Sequence, residues 1–129
     1  MIYFRKFRNE DLEKINEILL QEKIYNMQIE GIIYVAIEDE EIIGVGKAKE
    51  DNQKWFLEYI VVKKEMRGKG LGDGLLRVIS NSLFKKGIDR LYSQEKSEFL
   101  VNKGFIKDEN LYKLNIEELF EHNCNNCGG

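Results

Sequence analysis

The chain has 129 residues, 43% hydrophobic and 33% charged, with a formal net charge of -3, and this length suits one domain rather than two. The acidic balance and the lack of a lysine or arginine run argue against nucleic-acid binding. No apolar run approaches the roughly 20 residues that span a bilayer, and charges begin at Arg5, too early for a signal peptide, so we predict a cytoplasmic protein that binds no membrane.

A strand and a helix open the chain. Ile2–Phe7 predicts a first strand, and Asn9 or Asp11 then begins a helix that runs to about Glu22. The apolar face of this helix holds Leu12, Ile15, Ile18 and Leu19. Residues 23–31 show no clear period and are left without a predicted element.

Two apolar runs then predict an antiparallel hairpin. Ile32–Ile37 and Ile42–Ala48 are strand-like, and the acidic residues 38–41 separate them. The acidic turn is most simply a solvated loop, although it could also attract a cationic substrate. A second polar turn, 50–54, leads to the next strand.

Phe56–Val62 is aromatic and β-branched, which predicts a strand buried over most of its length. Glu58 interrupts this apolar run. By period-2 alternation, Glu58 shares a face with Ile60 and Val62. A carboxylate there is rarely placed for stability, but a structural ion pair or an exposed edge position would also explain it.

A basic turn with three glycines follows this strand. Gly68, Gly70 and Gly72 would let an anion approach the backbone, and Arg67 and Lys69 add positive charge. Because an amphipathic helix follows at once, its unpaired N–H groups and dipole would favour a phosphate. A sharp surface turn is the alternative. The sequence lacks a P-loop pattern, and no βαβ unit opens the chain as a Rossmann turn requires.

The last third of the chain completes a mixed fold. Its predicted elements are a helix with Leu75, Leu76, Ile79 and Leu83 on one face that ends at Gly87, a strand Ile88–Tyr92, a helix Gln94–Lys103, and a hairpin of 105–106 with 111–114. We therefore predict an α/β (α+β mixed) domain over residues 1–121. Its sheet is mixed and mostly antiparallel, with about six to seven strands and helices on both faces.

The C-terminal tail, 122–129, contains His122 and both cysteines, Cys124 and Cys127. Cys-x-x-Cys beside a histidine offers three zinc ligands, but no second pair completes a closed site. We predict a disordered tail without a metal site, and metal binding between two chains is the alternative.

The turn and its flanks resemble a known signature. Val62–Gly72 resembles the acetyl-CoA signature of the GNAT N-acetyltransferases, Val-x-Pro-x-x-Arg/Gln-x-x-Gly-x-Gly/Ala, with Lys64 where the pattern often has proline. Ser97–Phe105 looks like the family's later helix ending in Gly-Phe. The resemblance covers the chain from about Ile2 to Ile116.

The resemblance implies direct transfer of acetyl from acetyl-CoA to a primary amine of a small molecule or peptide. Glu58 is the candidate general base, and the match of Leu57, Glu58 and Val62 to a run in spermidine/spermine acetyltransferases favours it. A backbone N–H near Val62 would stabilise the oxyanion. The resemblance also implies that residues 23–31 help to line the acceptor pocket. The cosubstrate would contact Ile60, Val61, Val62, Arg67, Gly68, Lys69, Gly70, Leu71 and Gly72.

One departure from the family weakens the catalytic reading. The family's usual acid is a tyrosine four residues before the glycine of Gly-Phe, and Leu100 stands there. Tyr92, Tyr112 and Tyr59 are possible substitutes. A water molecule is another possible acid, or no acid is needed because a thiolate leaves readily. A non-catalytic CoA sensor or partner-binding module, or a domain for another phosphate ligand, therefore remain alternatives. The chain could be a monomer or a homodimer.

Overall fold

The computed structural model describes residues 1–25 and 28–120. Its strands are β1 Ile2–Lys6, β2 Ile32–Glu38, β3 Glu41–Asp51, β4 Lys54–Val62, β5 Arg90–Ser93, β6 Ile106–Asp108 and β7 Leu111–Asn115. Its helices are α1 Leu12–Gln21, α2 Leu71–Lys85 and α3 Glu98–Asn102, with single 3₁₀ turns at Asn9–Asp11 and Lys64–Met66. A further helical stretch covers 116–120. No helix among these residues is long and apolar enough to cross a membrane.

The seven strands form one sheet in the order β1-β2-β3-β4-β5-β7-β6. The pairs β1–β2, β2–β3, β5–β7 and β6–β7 are antiparallel, whereas β4 and β5 are parallel. The β4–β5 ladder has one register pair, Phe56 with Tyr92. The predicted mixed, mostly antiparallel sheet is confirmed.

Two compact units divide the chain. The first comprises Met1–Lys49 and Glu58–Ile79, and the second Glu50–Leu57 with the chain from Ser80 onward. Both β4 and α2 pass from one unit to the other, and the single domain over 1–121 stays a prediction. The predicted tail and its cysteines lie outside the described residues.

In the first unit, the sheet buries a different cluster on each face. On one face, which we call the α1 face, Ile15, Ile18 and Leu19 of α1 pack with Ile33, Val35, Val45 and Val61. On the other, the α2 face, Leu71 and Leu75 of α2 pack with Ala36, Ile43, Ile60 and Val62. Alternate residues of one strand therefore enter opposite clusters, which is the period of two that a sheet covered on both sides requires.

Two glycines of β3 allow α2 to approach the sheet closely. A Cβ at Gly46 would lie 3.0 Å from Ile79 Cδ1, and one at Gly44 would lie 3.4 Å from Leu75 Cδ1. A side chain at Gly46 would push Ile79 of α2 away from β3, whereas one at Gly44 would press first on the Val61 carbonyl of β4, at 3.3 Å. The position of the helix start therefore depends on these glycines.

The helix α1 begins at an ion pair. Asp11 precedes its first residue, and the buried carboxylate accepts hydrogen bonds from Arg5 Nη1 at 2.7 Å and from the Arg8 amide at 2.7 Å. The hydrogen bond from Arg5 is the main reason that the pKa of Asp11 lies below its usual value. The predicted start at Asn9 or Asp11 is confirmed.

In the second unit, α3 is much shorter than the predicted helix. The helix begins after Ser97, whose hydroxyl accepts a hydrogen bond from the Leu100 amide at 3.4 Å. Ser93 Oγ instead donates to the Glu95 carbonyl at 2.9 Å, which holds the preceding residues in a turn. Leu100, Phe105 and Leu114 are buried in this unit.

Candidate functional site

The glycine turn before α2 is exposed and open. Gly68 and Gly70 have φ angles of +85° and +77°, and an added Cβ at either would meet nothing within 4 Å. These backbone angles favour glycine, since the left-handed region is costly for other residues. Arg67 and Lys69 are exposed between and beside them. The turn therefore presents bare backbone and two cations to solvent.

The helix α2 begins directly at this turn. The Gly74 amide donates to the Gly70 carbonyl at 3.0 Å, so the amides of Leu71 and Gly72 lie in the first turn of the helix, ahead of this bond. Gly72 lies in the helix itself, so its contribution is the absence of a side chain in the first turn rather than a positive φ. The helix dipole adds to the positive potential of these amides.

Two contacts fix the helix start in the first unit. The Leu71 side chain is buried on the α2 face, and the Phe4 ring of β1 occupies the space that a Cβ of Gly74 would need. Gly74 thus lets a ring pack against the helix and is not a phosphate-binding glycine. Sequence reasoning gave this glycine no role, because the pairing with Phe4 is visible only in the fold.

Arg67 is engaged within the first unit. Its guanidinium contacts the Glu22 carboxylate just after α1, and its Nε donates to the Val62 carbonyl at 3.3 Å. The side chain therefore lies across the end of β4. Sequence reasoning placed Arg67 toward a phosphate but did not find its partner Glu22, which is 45 residues away in the chain.

The Val62 amide of β4 points away from β3. The Lys63 amide donates to the Ile43 carbonyl of β3 at 2.9 Å. Because successive residues of a strand direct their N–H groups to opposite edges, the Val62 amide faces the other edge of β4, as does that of Ile60, whereas Val61 faces β3. Of the strand's residues only Leu57 and Val61 are fully buried. The strand is thus more exposed than its composition predicts.

Glu58 lies on the opposite side of the sheet from its predicted neighbours. Its Oε2 atom is 3.3 Å from Nζ of Lys47, a residue that shares the α1 face with Val45. Ile60 and Val62 pack on the α2 face. The prediction that the three residues share a face is wrong, because β4 does not alternate regularly here. Glu58 and the following residue both reach the α1 face, which is the geometry of a β-bulge.

The residue that follows, Tyr59, packs against the α1-face cluster. Burial raises the pKa of its phenol to about 12, and the nearby negative charge of Glu58 acts in the same direction. Tyr59 therefore remains a neutral hydrogen-bond donor at every physiological pH. It is the only one of the three candidate acids in the sequence that lies beside Glu58 in the chain.

Lys47 is the residue of this region that sequence reasoning missed. It is fully buried, and its Nζ also donates to the Gln28 carbonyl at 2.6 Å. The available signal was a lysine in the apolar run Ile42–Ala48, flanked by Gly46 and Ala48. Without the third dimension, this lysine is read as a solvent-facing strand residue.

The sequence model of the Acetyltransferase (GNAT) family matches residues 2–105, most of the chain. The chain belongs to the GNAT acetyltransferase family. Members of this family are acyltransferases, and the chain is assigned to that enzyme class. The resemblance first identified in Val62–Gly72 is confirmed.

Solved structures give the same fold for this GNAT chain. One is the PaiA N-acetyltransferase from Thermoplasma acidophilum in complex with coenzyme A, at a TM-score of 0.74 and 20% identity, over 89% of this chain and 99% of that one. Another is a GNAT acetyltransferase from Brucella melitensis in complex with acetyl-CoA, at 0.71 and 18%, over 89% and 88%. The ribosomal-protein-S18-alanine N-acetyltransferase from Escherichia coli matches at 0.72 and 12%, over 90% and 94%. No curated protein matches the sequence at a significant level.

The GNAT acid position is part of the core in this chain. Leu100 lies in α3 with 8% of its surface exposed, so no ionisable group takes the place of the family's tyrosine. Tyr92 has its ring 5.9 Å from that of Phe56 and lies under Lys54 Nζ at 5.7 Å. Tyr92 therefore has aromatic and cationic neighbours that account for its position without a catalytic role.

Proposed function

We propose that this GNAT protein transfers the acetyl group of acetyl-CoA to a primary amine by direct attack. The observation that carries the proposal is the exposed turn of Gly68 and Gly70 at the start of α2, which follows a strand whose Val62 amide faces away from β3. An anion site and a strand edge in succession suit a ligand with a pyrophosphate at one end and an extended amide arm at the other.

The pyrophosphate would bind the first amides of α2, those of Leu71 and Gly72. Gly68 and Gly70 leave the approach clear, and Lys69 adds a cation near the phosphates. Arg67 contacts the Val62 carbonyl and the Glu22 carboxylate. It would therefore hold the turn against the end of β4 as well as add positive charge.

The pantetheine arm would follow the edge of β4 that carries the Ile60 and Val62 amides. Its own amides can pair with that edge as an added strand would. The half-exposed side chains of β4 support this reading, because an apolar strand that is not buried by the protein is available to a ligand. The family neighbours crystallised with CoA or acetyl-CoA support acetyl-CoA as the cosubstrate.

The chemistry would be a direct displacement at the thioester carbonyl. The neutral amine forms a C–N bond to the acetyl carbon, the Val62 N–H stabilises the oxyanion, and the C–S bond then breaks to release CoA thiolate. Glu58 would accept the ammonium proton, directly or through a water molecule. The exposed fraction of the Glu58 side chain, 21%, supports this role, because part of the carboxylate is open to solvent. Tyr59, with a pKa of about 12, is a weaker acid than a thiol, so CoA would leave as the thiolate without a proton from this residue.

A panel of amines with acetyl-CoA tests the proposal by release of free thiol. Release with one class of amine supports the proposal and names the acceptor, which would be a small molecule or peptide amine. Binding of acetyl-CoA without thiol release from any amine would favour the rival function, a CoA sensor or partner-binding module, which the buried Leu100 at the acid position makes a specific alternative. The cytoplasmic location and the monomeric or dimeric state stay predictions.

Thermal unfolding with different ligands tests the cosubstrate itself. A ligand that binds only the folded chain raises its midpoint. Acetyl-CoA and CoA should both stabilise the chain more than ATP or NAD at equal concentration. Stabilisation by ATP alone would show that the turn serves a different phosphate ligand.

A further inference from the structure

A fully buried lysine lies at the centre of the first unit. Lys47 has no exposed surface, although its neighbours on β3 are glycine and alanine. Burying an ammonium group is costly unless hydrogen-bond acceptors and a counter-charge surround it. Lys47 has both, the Gln28 carbonyl at 2.6 Å and the Glu58 carboxylate at 3.3 Å.

These two partners belong to the two regions that the proposed function uses. Glu58 is the proposed base, and Gln28 lies between α1 and β2 in the stretch predicted to line the acceptor pocket. The contact to Gln28 is through its backbone carbonyl, so it fixes the path of the chain and does not depend on which side chain stands there. The Lys47 ammonium therefore contacts both the proposed base and the Gln28 backbone. We call the stretch around Gln28, which is predicted to line the acceptor pocket, the segment.

The distances indicate which contact sets the position of the lysine. The bond to the Gln28 carbonyl is short, whereas the Glu58 carboxylate is at the longer distance. The Gln28 carbonyl thus fixes the position of the Lys47 ammonium, and the Glu58 carboxylate is oriented by that ammonium. A shift of the segment would carry Lys47 with it and change where the carboxylate lies.

We propose that Lys47 is a positioning residue that sets the Glu58 carboxylate and the Gln28 backbone together. The proposal rests on the proposed acetyl transfer with Glu58 as base. Lys47 itself transfers no proton and does not touch the acceptor. Its role is to prevent the carboxylate from rotating away from the approaching amine.

A double-mutant cycle tests this link in catalysis. Lys47→Met keeps the unbranched apolar stem of the side chain and removes the ammonium group. Lys49→Met is the matched control, because Lys49 lies two positions along β3 and its Nζ donates to the Gln28 side chain, not its backbone, at 3.3 Å. Lys47→Met should lower kcat by up to about 10²-fold, the order that a 1 Å misplacement of a reacting group costs. Acetyl-CoA affinity should be unchanged, and Lys49→Met should match the wild type.

The decisive comparison uses Glu58→Gln as the background. If Lys47 acts through Glu58, adding Lys47→Met to Glu58→Gln should lower kcat no further. If Lys47→Met costs the same factor in both backgrounds, Lys47 does not position Glu58 and the proposal is overturned. A purely structural lysine would give that second result, together with a lower folded fraction.

Hydrogen exchange tests the contact with the segment without any activity. Amides of 28–33 should exchange faster in folded Lys47→Met than in the wild type or in Lys49→Met, and equal exchange would overturn the proposal. A wild type that acetylates no amine would sink the proposed function, whereas this measurement would still decide whether Lys47 holds the segment. If Lys47→Met does not fold, Lys47→Arg replaces it. The larger guanidinium should lower kcat and alter exchange at 28–33, and wild-type values of both would overturn the proposal.

Discussion

Glu58 and Lys47 form an ion pair in which only the lysine is fully buried, at a position where the sequence shows only a carboxylate in an apolar strand. The pairing is compatible with the proposed catalytic role of Glu58, because 21% of its side chain is exposed, whereas none of the Lys47 side chain is. A carboxylate held on one side by a buried ammonium and open on the other is fixed in place and still accessible to an amine or a water molecule. Structural and catalytic roles are therefore compatible at this residue.

The first prediction concerns the basicity of Glu58. Glu58→Gln keeps the shape of the side chain but removes its proton affinity, so turnover at neutral pH should fall by about 10²–10⁴, the usual contribution of general-base catalysis. Part of the loss should return at higher pH, because more of the acceptor amine is then neutral without assistance. Steady-state kinetics across pH, with acetyl-CoA affinity from calorimetry, measure both effects.

The control for this prediction is the folded fraction. Glu58→Gln also removes the counter-charge of Lys47, so the variant should unfold at a lower temperature even though its acetyl-CoA affinity is unchanged. Undiminished turnover of the folded variant at neutral pH would show that Glu58 is structural and that deprotonation uses water or another group.

The second prediction concerns the titration of Tyr59. Its folded-state pKa of about 12 lies above the ordinary value of 10.0. Because the folded-state pKa is the higher one, the phenol's contribution to the free energy of unfolding is complete below pH 10 and is lost as the pH rises toward 12. Tyrosinate absorbance of the folded chain, which has six tyrosines, should show one fewer high-pH group in Tyr59→Phe.

Denaturant unfolding provides the second readout for Tyr59. Between pH 10 and 12, the wild type should lose stability more steeply than Tyr59→Phe. If stability falls equally steeply with pH in both proteins, Tyr59 is not buried beside Glu58. The same follows if the group lost in Tyr59→Phe is one that titrates near pH 10.

At the level of the element, α2 depends on glycines for three different physical reasons. Gly68 and Gly70 supply the left-handed backbone of the turn, Gly74 makes room for the Phe4 ring, and Gly44 and Gly46 of β3 allow the helix to lie close to the sheet. Only the first pair would face the phosphates. A count of glycines in the sequence cannot separate these roles, because each is defined by what lies opposite the missing side chain.

The third prediction separates the anion site from backbone strain. Gly70→Val should abolish or greatly weaken acetyl-CoA binding, because a β-branched residue disfavours φ +77° and obstructs the approach to the helix amides. Gly87→Val is the matched control. Gly87 has φ +86° and nothing within 4 Å of an added Cβ, but it follows the other end of α2.

Both variants should lose similar stability in thermal unfolding, of the order of 1–2 kcal/mol for a non-glycine residue in the left-handed region. Calorimetry should then show normal acetyl-CoA affinity for Gly87→Val alone. If folded Gly70→Val binds acetyl-CoA as the wild type does, the pyrophosphate does not lie on this turn.

At the scale of the whole molecule, the family match ends at residue 105, and the described chain continues to 120. The residues after that point include Cys124 and Cys127, which lie outside the described residues. The fourth prediction comes from the sequence alone: deleting 123–129 should leave folding, acetyl-CoA affinity and turnover unchanged, because no periodic apolar pattern ties these residues to a core.

Three measurements check the truncation. Thermal unfolding, calorimetry with acetyl-CoA and metal analysis of the purified full-length chain should each match the shortened chain. Loss of bound zinc on truncation, or dissociation of an oligomer, would show that the Cys-x-x-Cys pair has a function.

The sequence by itself determined the order of the elements, the sheet and the glycine turn. These follow from local physics: apolar periods of two and of about 3.6 distinguish strand from helix, glycines allow positive φ, and the turn between β4 and α2 is a contiguous stretch. The predicted helix Gln94–Lys103 is longer than the observed one. The turn at Ser93 and the cap at Ser97 compete with helix through hydrogen bonds that periodicity does not reveal.

Only the tertiary structure decided which face each side chain occupies and which distant groups meet. Glu58 and Tyr59 both reach the α1 face, against the alternation of their neighbours, and there Glu58 meets Lys47. Glu22 meets Arg67, and Phe4 fills the space beside Gly74, in the same way. A single extra residue in a strand reverses every facing inference beyond it. The contacts that define the candidate site join residues far apart in the chain, and no local pattern records them.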